Sequence, residues 1–263
     1  MAGSILLTST EITGWVNSLF WPFTRIAAMI VIAPIFGGQM IPVRIRLLFA
    51  LLLTVVIVPL LPAAPAINPL SVEGVFITLQ QMLIGLMLGF SVQLVFAALV
   101  LAGQVTAMGM GLGFASMVDP QNGVQVPVVG QYYAVVATLL FLAMNGHLML
   151  IQTLADSFQY FQIGTGILTR ESLQTIALWG SRMFADALMV ALPVVTAILL
   201  ANISFGVVSR AAPQLNVFGV GFPAVMTLGF VALIFAIGNL LPQLENMLDS
   251  ALLAASQLGQ AGR

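Results

Sequence analysis

The sequence predicts an all-α membrane protein with about six long apolar helices arranged as hairpins, and three observations predict it. Hydrophobic residues make up 60% of the 263 positions and charged residues only 6%, too few charges to cover a surface that faces water. Backbone polar groups in lipid must be satisfied within their own segment, and the alternating strands of a membrane barrel are missing from the sequence. Five charge-free intervals each exceed the roughly 20 residues that a helix needs to cross a bilayer: 47–72, 74–118, 120–155, 187–209 and 211–244.

The composition also excludes several classes of function. The chain has no cysteine, so disulfides and thiolate metal sites are excluded. Its seven basic residues are all arginines and are scattered along the chain, so no basic patch could bind nucleic acid. The first of them, Arg25, already lies inside an apolar run, and the N-terminus is therefore not expected to be a cleavable signal.

The first three apolar segments cover about residues 13–35, 43–61 and 72–105. Pro22 interrupts the first segment, which also contains Arg25, and Arg44 and Arg46 lead the second. A connector with dense prolines, 61–69, separates the second segment from the third, and a helix cannot continue through it. The third segment is longer than a bilayer requires.

The last three segments cover about residues 128–158, 173–209 and 222–257. The fourth contains Asn145 and the only histidine, His147, which is more typical of a hydrogen-bonded structural group than of a ligand or base. The long fifth segment carries Arg182 and Asp186. Because polar groups inside apolar helices are usually buried against protein, we expect these helices to lie mainly against other subunits.

A glycine- and methionine-rich stretch, GQVTAMGMGLGFASMVDPQNG, separates the third and fourth segments at residues 103–123. Two interpretations stand side by side. The glycines allow a tight corner between helices, or the stretch is a re-entrant loop that lines or closes a pore, since irregular backbone at membrane depth must be buried by protein or hydrated. A nucleotide-binding loop is disfavoured, because no strand precedes the glycines and no lysine follows them.

Two further features have both a structural and a functional interpretation. Arg182 and Asp186 are four residues apart on one helix face, and this spacing suits an ion pair within the helix better than a proton relay, which needs several titratable groups along a path. The stretch RAAPQLNVFGVGFP at residues 210–223 breaks the apolar run as a polar hairpin turn, or as a hairpin tip that contacts a partner. Motifs of hydrolases, zinc enzymes and nucleotide-binding enzymes are missing.

Five elements in this order resemble the FliR family of flagellar export-gate subunits and its virulence type III secretion counterparts. TRIAAMIVIAPIFGGQMIPVRIRL (24–47) looks like the family's first helix and following turn. GLGFASMVDPQNG, LFLAMNGHLMLI and DSF look like its central loop and the two elements after it. The most specific element is ALPVVTAILLANISFGVVSRAAPQLNVFGVGFP. The last four elements lie at residues 111–123, 140–151, 156–158 and 191–223.

The resemblance implies one membrane export-gate domain over residues 1–263, with a P-like N-terminal part and a Q-like C-terminal part. It implies co-assembly with FliP-like and FliQ-like subunits into a ring-like core through which unfolded export substrates pass. Further implied partners are FlhB-like and FlhA-like export components and lipid, in the bacterial inner membrane at the flagellar basal body. Neither an enzymatic activity nor a cofactor nor a nucleic acid is implied.

The resemblance also assigns roles to individual residues. It implies a plug of the closed channel at about residues 106–122, formed by Met108, Gly109, Met110, Gly111, Leu112, Gly113, Phe114 and Met117. The residues themselves, apart from the resemblance, predict structural or interface roles for Arg182 and Asp186 on their shared helix face, and for Arg210, Pro213, Gln214, Asn216 and Phe218 in the stretch 210–223. The alternatives are a virulence homologue, a structural scaffold without a gate, and a small-solute or ion transporter with a midplane site at Arg182, Asp186 and His147.

Overall fold

The computed structural model describes residues 9–38, 41–62, 64–65, 67–112, 128–164, 170–212 and 217–261. Within these ranges the chain forms eight α-helices and no strand, which confirms the predicted all-α class. A 3-10 turn at Val58–Leu60 extends the second helix, and a π-helical turn at Val217–Gly221 precedes the seventh. The helices are α1 (Ser9–Ile32), α2 (Val43–Ile57), α3 (Val72–Gly109), α4 (Val128–Ala143), α5 (Gly146–Tyr160), α6 (Arg170–Ala211), α7 (Phe222–Ile237) and α8 (Leu240–Ala261).

Several of these helices are long and apolar enough to cross a membrane. Four stretches in the described part of the chain meet that length and composition: Val43–Leu60, Val72–Gly109, Gln174–Ala211 and Gly219–Ile237. The bent pair α4 and α5 meets it as a fifth, whereas the apolar part of α1, Asn17–Ile32, is shorter. The protein is therefore an all-α membrane protein, as its composition predicts.

Two of the six predicted segments are each two helices, and the prediction of continuous segments there was wrong. The fourth segment bends by 68° between α4 and α5. Asn145 sits at the bend with φ 57°, in the left-handed region that asparagine tolerates better than most residues. The sixth segment breaks at Gly238 and Asn239, where Asn239 N donates to the carbonyl of Ala236 at 3.1 Å.

The helices build two compact units, each from separate stretches of the chain. The first unit comprises Met1–Gln93, Gly146–Leu178 and Ser250–Arg263, and the second comprises Leu94–Asn145 and Trp179–Asp249. The division into a P-like and a Q-like part stays a prediction.

In the first unit α1 is packed closely by α3 and α5. Trp21, Ile26 and Met29 of α1 are fully or almost fully buried, as are Ile84 of α3 and Leu154 of α5. A Cβ atom on Gly85 of α3 would overlap the carbonyl oxygen of Arg25. Only glycine permits this approach, in keeping with the small residues that let membrane helices come together.

The connection between α1 and α2 is a strained turn. Phe36 N donates to the carbonyl of Pro34 at 2.9 Å across Ile35, whose φ is 71°, the rare form of the γ-turn. Arg46 of α2 holds the connection by donating from Nε to the carbonyl of Ile41 at 2.9 Å and from Nη2 to that of Gly38 at 3.2 Å. The conformation of the β-branched Ile35 is therefore fixed by its surroundings.

In the second unit the C-terminal part of α3 packs with α4, α6 and α7. The rings of Phe96 on α3 and Phe141 on α4 meet edge to face, with centroids 5.5 Å apart. At the end of α3, Met110 joins a buried apolar cluster with Val194, Ile198, Ala201 and Val225. This cluster holds Met110, which belongs to the central glycine-rich stretch, at a defined position.

Candidate functional site

The central stretch contains a fully formed helix stop where α3 ends. Gly111 N donates to the carbonyl of Met108 at 3.0 Å, and Leu112 N donates to that of Ala107 at 3.0 Å. This pair of hydrogen bonds is a Schellman motif, which requires a left-handed residue just after the helix. Gly111 supplies it with φ 78°. The chain therefore leaves α3 in one defined direction, set by a glycine that other residues replace only with strain.

Met110 is a core side chain of the second unit. It is 1% exposed and packs with Val194, Ile198 and Ala201 of α6 and with Val225 of α7. A Cβ atom on Gly229 of α7 would lie only 2.6 Å from Cγ of Met110. The missing side chain at position 229 thus leaves the space that Met110 fills.

Gly111 joins the two stretches that the sequence marks separately. A Cβ atom on Gly111 would overlap Cε2 of the Phe222 ring and would lie 3.2 Å from Cδ2. Phe222 is the first residue of α7 and follows the π-helical turn Val217–Gly221. The start of the central stretch therefore contacts the end of the stretch 210–223.

The remaining candidate plug residues differ in their surroundings. Met108, in the last turn of α3, is 71% exposed, whereas Leu112 is partly buried against the Met110 cluster. Gly109 is the last residue of α3, and a Cβ atom there would meet only Ile198, at an ordinary 3.6 Å. The candidates Gly113, Phe114 and Met117 lie outside the described residues.

The candidate interface residues lie on α6 and just beyond it. Arg182 is exposed and Asp186 partly exposed, one turn apart on α6. Arg210 is exposed in the last turn of α6, where a cation interacts favourably with the helix dipole. Phe218 belongs to the π-helical turn by its backbone. Pro213, Gln214 and Asn216 lie outside the described residues.

A buried arginine centre in the first unit was missed as a site by sequence reasoning. Arg25 of α1 is fully buried and its Nε donates to Oε1 of Gln81 on α3 at 2.9 Å. Its Nη1 donates to Oγ of Ser157 on α5 at 3.0 Å, and its Nη2 donates to the carbonyl of Phe161 at 2.7 Å. The ring of Phe158 lies 3.9 Å from the guanidinium carbon.

This arrangement satisfies a charge that burial would otherwise penalise. A buried cation is tolerated when its donors are hydrogen-bonded, and the planar fork of arginine can address several acceptors at once. Gln81, Ser157 and the Phe161 carbonyl are neutral acceptors, so the centre is a hydrogen-bonded clamp between α1, α3 and α5. A signal was present in the sequence, because Arg25 stands in an apolar run, but its partners could not be read from it.

His147 lies at the start of α5, directly after the bend. Its Nδ1 is buried and has no hydrogen-bond partner within the described part of the chain. In that same part no group of three or more histidine, cysteine or acidic side chains could hold a metal ion.

Comparison with known proteins gives a consistent set of relatives. The sequence profile of the bacterial export proteins, family 1, matches residues 16–251. The chain is 40% identical over 239 residues to the flagellar biosynthetic protein FliR of Pectobacterium carotovorum, which covers 90% of this chain and 89% of the relative. It is 40% identical over 223 residues to FliR of Escherichia coli, 85% of each chain. FliR of Bacillus subtilis is 31% identical over 228 residues, with 86% and 88% coverage.

Proposed function

Because this chain belongs to family 1 of the bacterial export proteins, together with the flagellar biosynthetic proteins FliR, we propose a role for it in the export gate of the flagellum. It is a membrane component of the flagellar protein-export apparatus. In the proposed role it co-assembles in the inner membrane with FliP-like and FliQ-like subunits around a channel for unfolded flagellar proteins. FlhB-like and FlhA-like components are its further proposed partners.

The observation that carries the co-assembly is the presence of a charged side chain and an amide on the exposed surface of α6. In the membrane-length stretch Gln174–Ala211, only 28% of the 18-residue apolar window is buried within this chain. The exposed residues of the stretch are mostly apolar but include Arg182, Thr196 and Asn202. Exposing a charge or an amide to hydrocarbon is unfavourable, whereas neighbouring helices can hydrogen-bond such groups. This surface therefore suits contact with other membrane subunits better than contact with lipid alone.

The proposed seal of the channel is formed by residues 106–122 of the central stretch. A protein-conducting pore must hold back ions and protons while idle, and an apolar constriction does so by excluding water. Methionine side chains are unbranched and fill irregular gaps, which suits Met108 and Met117 to a deformable seal. The anchoring of Met110 in the second unit supports a loop that starts from a fixed point.

Deletion of residues 109–117 tests the seal. In cells that carry the assembled gate, the deletion is expected to raise the ion permeability of the membrane several-fold, because the apolar constriction is lost. Permeability is measured with a voltage-sensitive dye at matched complex abundance. A deletion variant that assembles normally and leaves permeability at the wild-type level would remove the basis for the plug role.

A further inference from the structure

Two glycines hold the start of the central stretch on one face of α7. We infer that Gly111 and Gly229 are positioning residues that fix the point at which this stretch leaves α3, an inference that rests on the proposed sealing role of the stretch. Neither glycine is argued to touch the exported chain. Each acts through the neighbour that its missing side chain admits: Phe222 for Gly111 and Met110 for Gly229.

The first contact seats Met110. A Cβ atom at position 229 would lie 2.6 Å from Cγ of Met110 and 3.1 Å from both Sδ and Cε. Three of the four heavy atoms of the methionine side chain therefore occupy the space that a side chain at position 229 would need. Because the closest of them, Cγ, is near the backbone of Met110, a methyl group at position 229 requires Met110 to move within its place among Val194, Ile198 and Val225. We expect this movement to shift the residues that follow Met110.

The second contact orients the chain after Met110. Gly111 has φ 78°, and its Cα faces the ring of Phe222 so closely that a Cβ atom would overlap it. Phe222 and Gly229 are seven residues apart, two turns of α7, with Val225 between them, so all three share one helix face. That face holds both contacts, and α7 therefore fixes the chain at Met110 and Gly111, where it leaves α3.

Gly238 is the matched control for both glycines. It directly follows α7 with an ordinary right-handed backbone, φ −57° and ψ −26°, and a Cβ atom there would meet only the carbonyl oxygen of Phe235 at 3.8 Å, an ordinary contact. Gly238→Ala should therefore leave the position of the stretch unchanged.

The test compares the ion permeability of cells that contain the complete gate with each variant. Gly229→Ala and Gly111→Ala are expected to raise permeability at least twofold, towards the level of the 109–117 deletion, while Gly238→Ala stays at the wild-type level. Met110→Ala should raise permeability as well, because the space beside Gly229 that Met110 fills is then empty. The double variant with Met110→Ala and Gly229→Ala should leak less than either single variant, since the new methyl group occupies part of the vacated space.

The outcomes separate this inference from the proposed function. If the deletion leaks but Gly229→Ala and Gly111→Ala behave like Gly238→Ala at equal complex abundance, the positioning role is wrong and the seal stands. Additive effects of Met110→Ala and Gly229→Ala would also contradict it, because they would show that the two residues act independently. If the deletion itself does not leak, both the seal and this inference fail.

A cross-link gives a readout that does not depend on permeability. The chain contains no cysteine, so a pair introduced by Met110→Cys and Gly229→Cys would be unique in this subunit. A Cβ atom at position 229 lies 2.6 Å from Cγ of Met110, so the two Cβ atoms are within about 4 Å, as a disulfide needs. Mild oxidation of the purified complex should join the pair, whereas a pair at the exposed position 108 and position 229 should stay reduced. Equal cross-linking of the two pairs, or none of either, would overturn the contact.

Discussion

Arg25 shows, at the scale of single residues, how an apolar helix can carry a charge. Its donors reach Gln81, Ser157 and the carbonyl of Phe161, and the face of Phe158 lies 3.9 Å away. Three helices are joined through one guanidinium, because its fixed geometry serves acceptors that lie in different directions. The residue therefore stabilises the first unit rather than serving as a lipid-facing anchor.

Replacement of Arg25 by lysine is expected to destabilise the protein. Lysine keeps the charge but concentrates its donors at one point, so it cannot reach Gln81, Ser157 and the Phe161 carbonyl together. The loss of hydrogen bonds to a buried charge corresponds to about 2–4 kcal/mol. Thermal unfolding of the purified complex measures the effect.

Arg44→Lys is the control for this substitution, because Arg44 is exposed at the start of α2 and exposed charges contribute little to stability. It should unfold at the wild-type temperature. Equal unfolding temperatures for Arg25→Lys and Arg44→Lys would show that the buried hydrogen bonds do not stabilise the first unit.

The partners of Arg25 also show what the sequence could not predict. Gln81, Ser157 and Phe161 are 56, 132 and 136 residues away along the chain. Helical periodicity relates only residues within one segment, so it marks Arg25 as unusual without indicating its acceptors. The same holds for Met110 and Gly229, which meet through tertiary packing.

At the scale of helices, the long apolar runs were predicted more accurately than their breaks. The predicted segments 72–105 and 173–209 correspond to Val72–Gly109 and Arg170–Ala211. The predicted segment 128–158 contains a 68° bend, which was not predicted because apolar residues continue on both sides of it. The Asn-Gly pair at Asn145 is a turn signal, but the surrounding hydrophobic residues favoured the prediction of one continuous segment.

The bend leads to a prediction for Asn145. Its φ of 57° suits asparagine or glycine but is strained for a β-branched residue. Asn145→Val should lower the free energy of unfolding by about 1–3 kcal/mol, whereas Asn145→Gly should be tolerated. Thermal unfolding of the two variants provides the comparison, and a valine variant as stable as the glycine variant would argue against this backbone conformation.

At the scale of the whole molecule, composition predicts an apolar environment but does not distinguish lipid from apolar protein. Only 17% of Val43–Leu60 and 22% of Gly219–Ile237 are buried within the chain. An exposed leucine or valine can contact lipid tails as favourably as an apolar protein surface. The hydrophobic pattern therefore cannot show whether lipid or protein covers the exposed side of these helices. Polar side chains such as Arg182 and Asn202 on α6 are the reason for proposing that protein covers this helix.

Co-purification identifies the molecules that cover these exposed helices. The tagged chain is expressed with its own FliP-like and FliQ-like proteins, extracted in mild detergent and analysed by native mass spectrometry. We expect one heteromeric assembly that contains all three proteins, and an unstable or polydisperse preparation when the chain is expressed alone. A stable, monodisperse monomer that leaves the FliP-like and FliQ-like proteins unbound would show that other molecules, such as lipid, cover these helices.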